Sequence, residues 1–164
     1  MTRWGASFIL ILLFSGCKRV PSSADVARDD SAELATGFGL GELPAASQML
    51  HGFYALEGGT WRWSKQTFGV ILRAPQPAAK LLLHFALPGL VLERLGPITI
   101  TATVNGSELA AETFTNGGEQ VYSRDVELKD LAKVEFRTDK TLAAGVIDER
   151  ELALIVSRVE LIPR

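Results

Sequence analysis

Nineteen acidic side chains, two histidines and a single cysteine are the groups in this 164-residue chain that could move protons or attack a substrate. Glycoside hydrolysis needs two carboxyl groups at a defined separation, and Glu57, Asp125, Asp148, Glu149 and Glu151 could supply such a pair. Any chain this rich in acids offers pairs of that kind, so their presence does not select catalysis. His51 and His84 stand alone, and no His-Glu-x-x-His, Cys-x-x-Cys or Gly-x-Ser-x-Gly string accompanies them. No catalytic residue, metal or cofactor is therefore expected, and the chain reads as a non-enzyme. His84 falls on the polar side of an alternating stretch, where a solvated or hydrogen-bonded imidazole needs no functional explanation.

Binding chemistry has better material. Glu57, Arg62, Asp148 and Arg150 could neutralise one another, because arginine and carboxylate pair with fixed geometry as well as opposite charge. One reading makes them a clasp that closes a domain, with at least one direct ion pair; the other makes them a polar recognition site. Trp61 and Trp63 are two apart and share a face if both lie in a strand, with Phe53 and Tyr54 close in sequence. Sugar rings stack on exposed aromatic faces, whereas large aromatics generally fill cores. Trp63 is expected in the core and Trp61 is left open. The candidate ligand-binding set is Trp61, Tyr54, Arg62, Asp148 and Arg150.

The elements that must position these groups are strands. Phe68, Val70 and Leu72 alternate with Thr67, Gly69 and Ile71, and Leu81, Leu83, Phe85 and Leu87 alternate with Lys80, Leu82, His84 and Ala86. Ile98, Ile100, Ala102 and Val104 oppose Thr99, Thr101 and Thr103, whose simplest reading is a solvated strand face. Asn105-Gly106 then marks a tight hairpin, with a return strand over 107–115 and a further strand over 120–127. A short strand over 134–138 and a long one over 152–161 complete the pattern; in the last, Leu152, Leu154 and Val156 share a face with Arg158 and Glu160. Roughly eight or nine strands with no helical period predict an all-β fold, a two-sheet antiparallel β-sandwich. Jelly-roll topology is expected, with an immunoglobulin-like arrangement as the alternative.

The N-terminus carries an address. Arg3 is followed by a charge-free apolar run from Phe8 to Phe14, the order of an export signal, and Cys17 comes directly after Ser15-Gly16. Residues 18–31 are polar, and the string Gly37-Phe38-Gly39-Leu40-Gly41-Glu42 reads as flexible linker, with one helical turn near 44–50. The expected organisation is a signal peptide over 1–16, a linker over 17–50 and a β-sandwich over 51–164. Loss of residues 1–16 removes Arg3 and no acid, leaving 16 basic against 19 acidic side chains and a formal charge of −3. Such a chain offers nucleic acid no concentrated basic face.

Leu13-Phe14-Ser15-Gly16-Cys17 resembles the processing box of bacterial lipoproteins, with Phe14 where leucine is commoner. The resemblance implies lipidation of Cys17, cleavage before it and a membrane held through that anchor. With Lys18 rather than aspartate next, it implies a cell-envelope location, at the outer membrane where a cell has two. Gly52-Phe53-Tyr54 with Glu57, Arg62-Trp63, Val104-Asn105-Gly106, and Asp148 with Arg150-Glu151-Leu152 resemble jelly-roll domains accompanying bacterial glycosyltransferases and envelope-polysaccharide proteins, with Ala153 replacing a glycine. That resemblance implies an accessory module with a glycan connection and no catalytic residue. The expected function is a lipid-anchored extracytoplasmic β-sandwich that binds cell-envelope polysaccharide. The alternative is a structural or protein-interaction lipoprotein of an envelope assembly.

Overall fold

The computed structural model describes residues 34–146 and 148–164, together with Met1; the expected signal peptide, the polar stretch over 18–31 and Cys17 lie outside the described residues. The elements are β1 (Gly37–Gly39), α1 (Ala45–Gln48), β2 (Met49–Glu57), β3 (Trp61–Arg73), β4 (Ala78–Leu87), α2 (Gly89–Leu95), β5 (Ile98–Val104), β6 (Ser107–Glu108), β7 (Glu112–Phe114), β8 (Gly118–Glu127), β9 (Leu131–Thr138) and β10 (Ile155–Pro163). The alternation that predicts β4 and β5 matches burial residue by residue, and β9, expected only as a short strand over 134–138, runs from Leu131 and alternates likewise. Leu81, Leu83 and Leu87 are fully buried, as are Ile100, Val134 and Phe136, while their neighbours face outward.

All pairings are antiparallel and run in one path, β6-β5-β9-β3-β10-β4-β8, with β2 on β3, β7 on β5 and β1 on β10. The path curls until its ends face each other. Tyr122 of β8 meets Phe136 of β9 edge-on at 6.2 Å, and Phe85 of β4 meets Phe114 of β7 at 5.0 Å. The molecule is thus an all-β sandwich with one core. Burial pushes the Tyr122 phenol above its ordinary pKa, and its hydroxyl donates to Ala110 O at 2.9 Å. Arg124 adds hydrogen bonds to Ala110 O, Ala111 O and Glu112, closing the open side.

Strand β3 belongs to both layers. One edge carries β2 from Trp61 to Val70, with breaks in register; the other carries β10 at Arg62 and Trp63 and then β9 from Thr67 to Arg73. Ser64 sits at the fork, fully buried. Its N–H donates to Leu154 O at 2.8 Å, its carbonyl accepts from Ala153 N at 3.0 Å, and its hydroxyl accepts from Leu154 N at 3.2 Å. A serine can satisfy the backbone groups that a splitting ladder leaves unpaired, which an apolar residue could not do.

Three expectations are corrected. The linker does not extend to residue 50: Gly37–Gly39 pairs with β10, and Phe38 and Leu40 are wholly buried. Buried Gln48 ties this segment down, accepting from Ala35 N and donating to Ala35 O and Ile71 O. The return strand breaks into β6 and β7. In the last strand, Leu152 forms only a bridge to Leu142, and a register shift between Val156 and Arg158 moves burial from Val156 to Val159 and Leu161. An extra residue on one strand inverts the facing beyond it, so Arg158 and Glu160 lie outside while Leu152, Leu154 and Val156 lie in the core.

The Asn105-Gly106 hairpin forms with φ of 51° and 85°. Asn105 also holds β9, donating to Leu131 O and accepting from Lys133 N, each at 2.8 Å. Replacing Gly106 by valine, which resists positive φ, is expected to lower unfolding stability by about 1–3 kcal/mol in urea titration.

Candidate functional site

The glycine turn after Glu57 places the end of β2 beside the start of β3, and Trp61 Nε1 lies over Gly58, where a Cβ would come within 2.7 Å of it. Trp61 and Trp63 meet edge-on at 6.5 Å. Trp63 is core, at 8 % exposure, whereas Trp61 packs on the core with part of its indole open. Neighbouring strand residues face opposite ways: Phe53 turns inward onto Phe68 at 5.3 Å, and Tyr54 keeps part of its ring outside.

The segment leading to β10 brings Arg150 to this end. Its guanidinium gives Nε to Asp148 Oδ1 at 2.9 Å, Nη2 to Asp148 Oδ2 at 2.8 Å and Nη1 to Glu57 Oε1 at 2.8 Å. It also lies 5.1 Å from the Tyr54 ring centre, with Lys65 at 5.6 Å from the same ring. Cations near an aromatic face are attracted to its electron density, so Tyr54 has its orientation set by two of them. Arg62 points elsewhere, donating Nε to Leu40 O at 3.2 Å and Nη1 to Tyr54 O at 3.0 Å. It ties the N-terminal segment to β2.

Sequence spacing thus anticipates an ion pair between remote segments, and Glu57–Arg150 is that pair; Arg62 contacts backbone carbonyls instead. Lys65 was not anticipated, being an ordinary exposed lysine in sequence. A second array was also missed. Arg158 donates Nε to Glu160 at 2.8 Å and Nη1 to Glu42 at 3.3 Å, and Glu160 meets His84 at 3.0 Å. Its signal was the period-two placing of Phe38 and Leu40 between glycines, which marks a strand rather than a linker.

Hydrogen bonds from Arg150 hold the Asp148 carboxyl down to a pKa of about 2, and the two carboxylates raise Arg150 above its ordinary value. A depressed acid stabilises the fold above its unfolded pKa near 4, and that contribution fades as pH falls through about 2. NMR titration of Asp148 is expected to find this low midpoint, and Arg150→Gln should return it toward the ordinary value. An unchanged midpoint in the variant would contradict the pairing.

No family model and no curated protein matches the chain. Among solved structures it is similar to a family 35 carbohydrate-binding module from an environmental isolate, with TM-score 0.51 and 12% identity over 71% of this chain and 88% of that one. A family 35 module from Clostridium thermocellum gives 0.50 at 14% identity, over 77% and 97%. Part of a family GH115 4-O-methyl-α-glucuronidase with specificity for decorated arabinogalactans gives 0.52 at 9%, over 80% of this chain but 18% of that enzyme. At such identities the likeness establishes architecture, the jelly-roll β-sandwich.

Proposed function

We propose that this chain is a lipid-anchored, non-catalytic module that binds cell-envelope glycan. The observation that carries the reading is the pairing of partly open aromatic faces, Trp61 and Tyr54, with a fixed hydrogen-bonding array centred on Arg150 at the same end of the sandwich. Apolar sugar faces stack on such rings while ordered polar groups select among hydroxyls. The carbohydrate-binding modules with this architecture add support. A general acid must retain a proton near neutral pH, whereas Arg150 stabilises Asp148 as an anion, which favours binding over hydrolysis. A protein-docking lipoprotein gains less support, because the exposed large apolar residues of the domain are spread over β2 (Leu50 and Leu56), α2 (Leu90), β8 (Val121), β10 (Ile162) and the loops at Leu43 and Val146.

The test is native electrophoresis through gels containing arabinogalactan, xylan or the producing cell's own envelope polysaccharide. Retardation in at least one gel is expected; unchanged mobility in all three would overturn the glycan reading. Anchoring is tested separately. Cys17→Ser should abolish fatty-acid labelling and leave unprocessed precursor, and surviving label would remove Cys17 as the acceptor.

A further inference from the structure

Beside the aromatic end lies a trough of about 330 Å³ that the Arg150 array does not include. Three segments meet there: the turn Gly39–Glu42 after β1, Gly59 and Thr60 of the β2–β3 turn, and Ser157 and Arg158 of β10. Its floor is bare backbone for a packing reason. A side chain at Gly41 would overlap Gly59 O, so the two turns can approach this closely only with glycine at 41, while Gly59 supplies the positive φ of the second turn. The register shift between Val156 and Arg158 turns Arg158 onto the outer surface, where it forms one wall.

The wall groups are held by some atoms and offered by others. Glu42 Oε2 accepts from Gly39 N at 2.9 Å, leaving Oε1 toward Arg158. Arg158 is fixed through Nε on Glu160 at 2.8 Å, while its Nη1 reaches Glu42 only at 3.3 Å and no hydrogen bond is made by Nη2 among the described residues. Side-chain exposures of 40 % and 55 % make the Arg158–Glu42 contact a weak surface pair, readily opened by a competing ligand. Burial would raise the Glu160 carboxyl, but Arg158 and His84 outweigh it and keep it below its ordinary value, a stable anchor for the guanidinium.

We infer that this trough, whose lining residue Thr60 directly precedes Trp61 of β3, is a second sugar subsite, which takes a ring bearing vicinal hydroxyls and makes the ligand an oligosaccharide. One hydroxyl accepts from Arg158 Nη2 while its neighbour donates to Glu42 Oε1. The Thr60 hydroxyl donates or accepts at the side toward Trp61. Such alternation of donor and acceptor suits a neutral diol and not a lone anion, which the Glu42 carboxylate would repel. The inference rests on the glycan reading of the aromatic end.

The full chain carrying Cys17→Ser keeps the whole sequence without the anchor. Its amide and indole NMR signals would be followed against a hydrolysate of the producing cell's envelope polysaccharide, separated into monosaccharide and oligosaccharide pools. The oligosaccharide pool should shift Trp61 Nε1–H together with Gly39, Gly41, Gly59, Thr60 and Arg158, with Glu42→Gln weakening that binding about tenfold at unchanged melting temperature, a charged acceptor being stronger than a neutral one. Shifts at Trp61 with a silent trough would overturn the subsite and leave the aromatic reading intact. Silence at both would overturn both. A Glu42→Gln variant that melts earlier but binds equally well would make Glu42 a cap for Gly39 and likewise overturn the subsite.

Discussion

Gly52→Ala is expected to be among the most destabilising single substitutions in the domain, costing about 2–6 kcal/mol as backbone strain and overpacking combine. Gly52 has φ of 81°, and a Cβ there would overlap Thr67 O and stand 2.5 Å from Phe68 Cα. Neither contact can yield cheaply. Phe68 is wholly buried, stacked on Phe136 at 5.2 Å and contacted by Phe53 from the side, so pushing it away opens the centre of the core. Against a typical total of about 5–15 kcal/mol, the loss should be obvious in urea titration. A change under about 1 kcal/mol would mean that β2 does not approach β3 at this point. The same geometry explains the Gly52-Phe53-Tyr54 string: the glycine permits contact, the phenylalanine fills the core, and the tyrosine faces out toward Arg150.

Trp61→Ala should have the largest effect on binding, on the order of tenfold or more in retention by the polysaccharide that retards the parent chain, as expected when an aromatic anchor is truncated. Its effect on folding should be smaller than that of a buried tryptophan, which costs roughly 3–5 kcal/mol on truncation. Trp61 packs on Trp63 and the Gly58 turn but is only partly buried, so about 1–2 kcal/mol is expected from the apolar area lost. Trp63→Ala provides the contrast, because Trp63 is 8 % exposed and should behave as core. If Trp61→Ala kept full retention while unfolding as easily as Trp63→Ala, the aromatic platform would be lost and a structural role would replace it.

Local pattern determined much of this architecture. Alternation in β4 and β5 is legible because a strand with one buried face must repeat every second residue, and Asn105-Gly106 is legible because few other pairs accept positive φ twice. The all-β class follows from the same signals, and the core position of Trp63 from the general tendency of large aromatics to fill cores. Opposite charges at 57 and 148–150 announced a pair but could not choose between Arg62 and Arg150 as its cation. That choice depends on which backbone carbonyls lie nearby, and Leu40 O and Tyr54 O claim Arg62 only once the N-terminal segment has folded against β2. Gly37 to Gly41 looked like linker since glycines advertise freedom, whereas here they permit close contact with β10 and the Gly59 turn. The extra residue near Ser157 leaves no local mark, because a register shift is a relation between strands; it turns Arg158 outward to Glu42 as one wall of the trough. Sequence by itself determined the all-β class and the inward faces of the regularly alternating strands, through the two-residue period that burial imposes, while the tertiary structure decided the pairing of β1, the facing of β10 and which charges meet, since these depend on segments brought together from both ends of the domain.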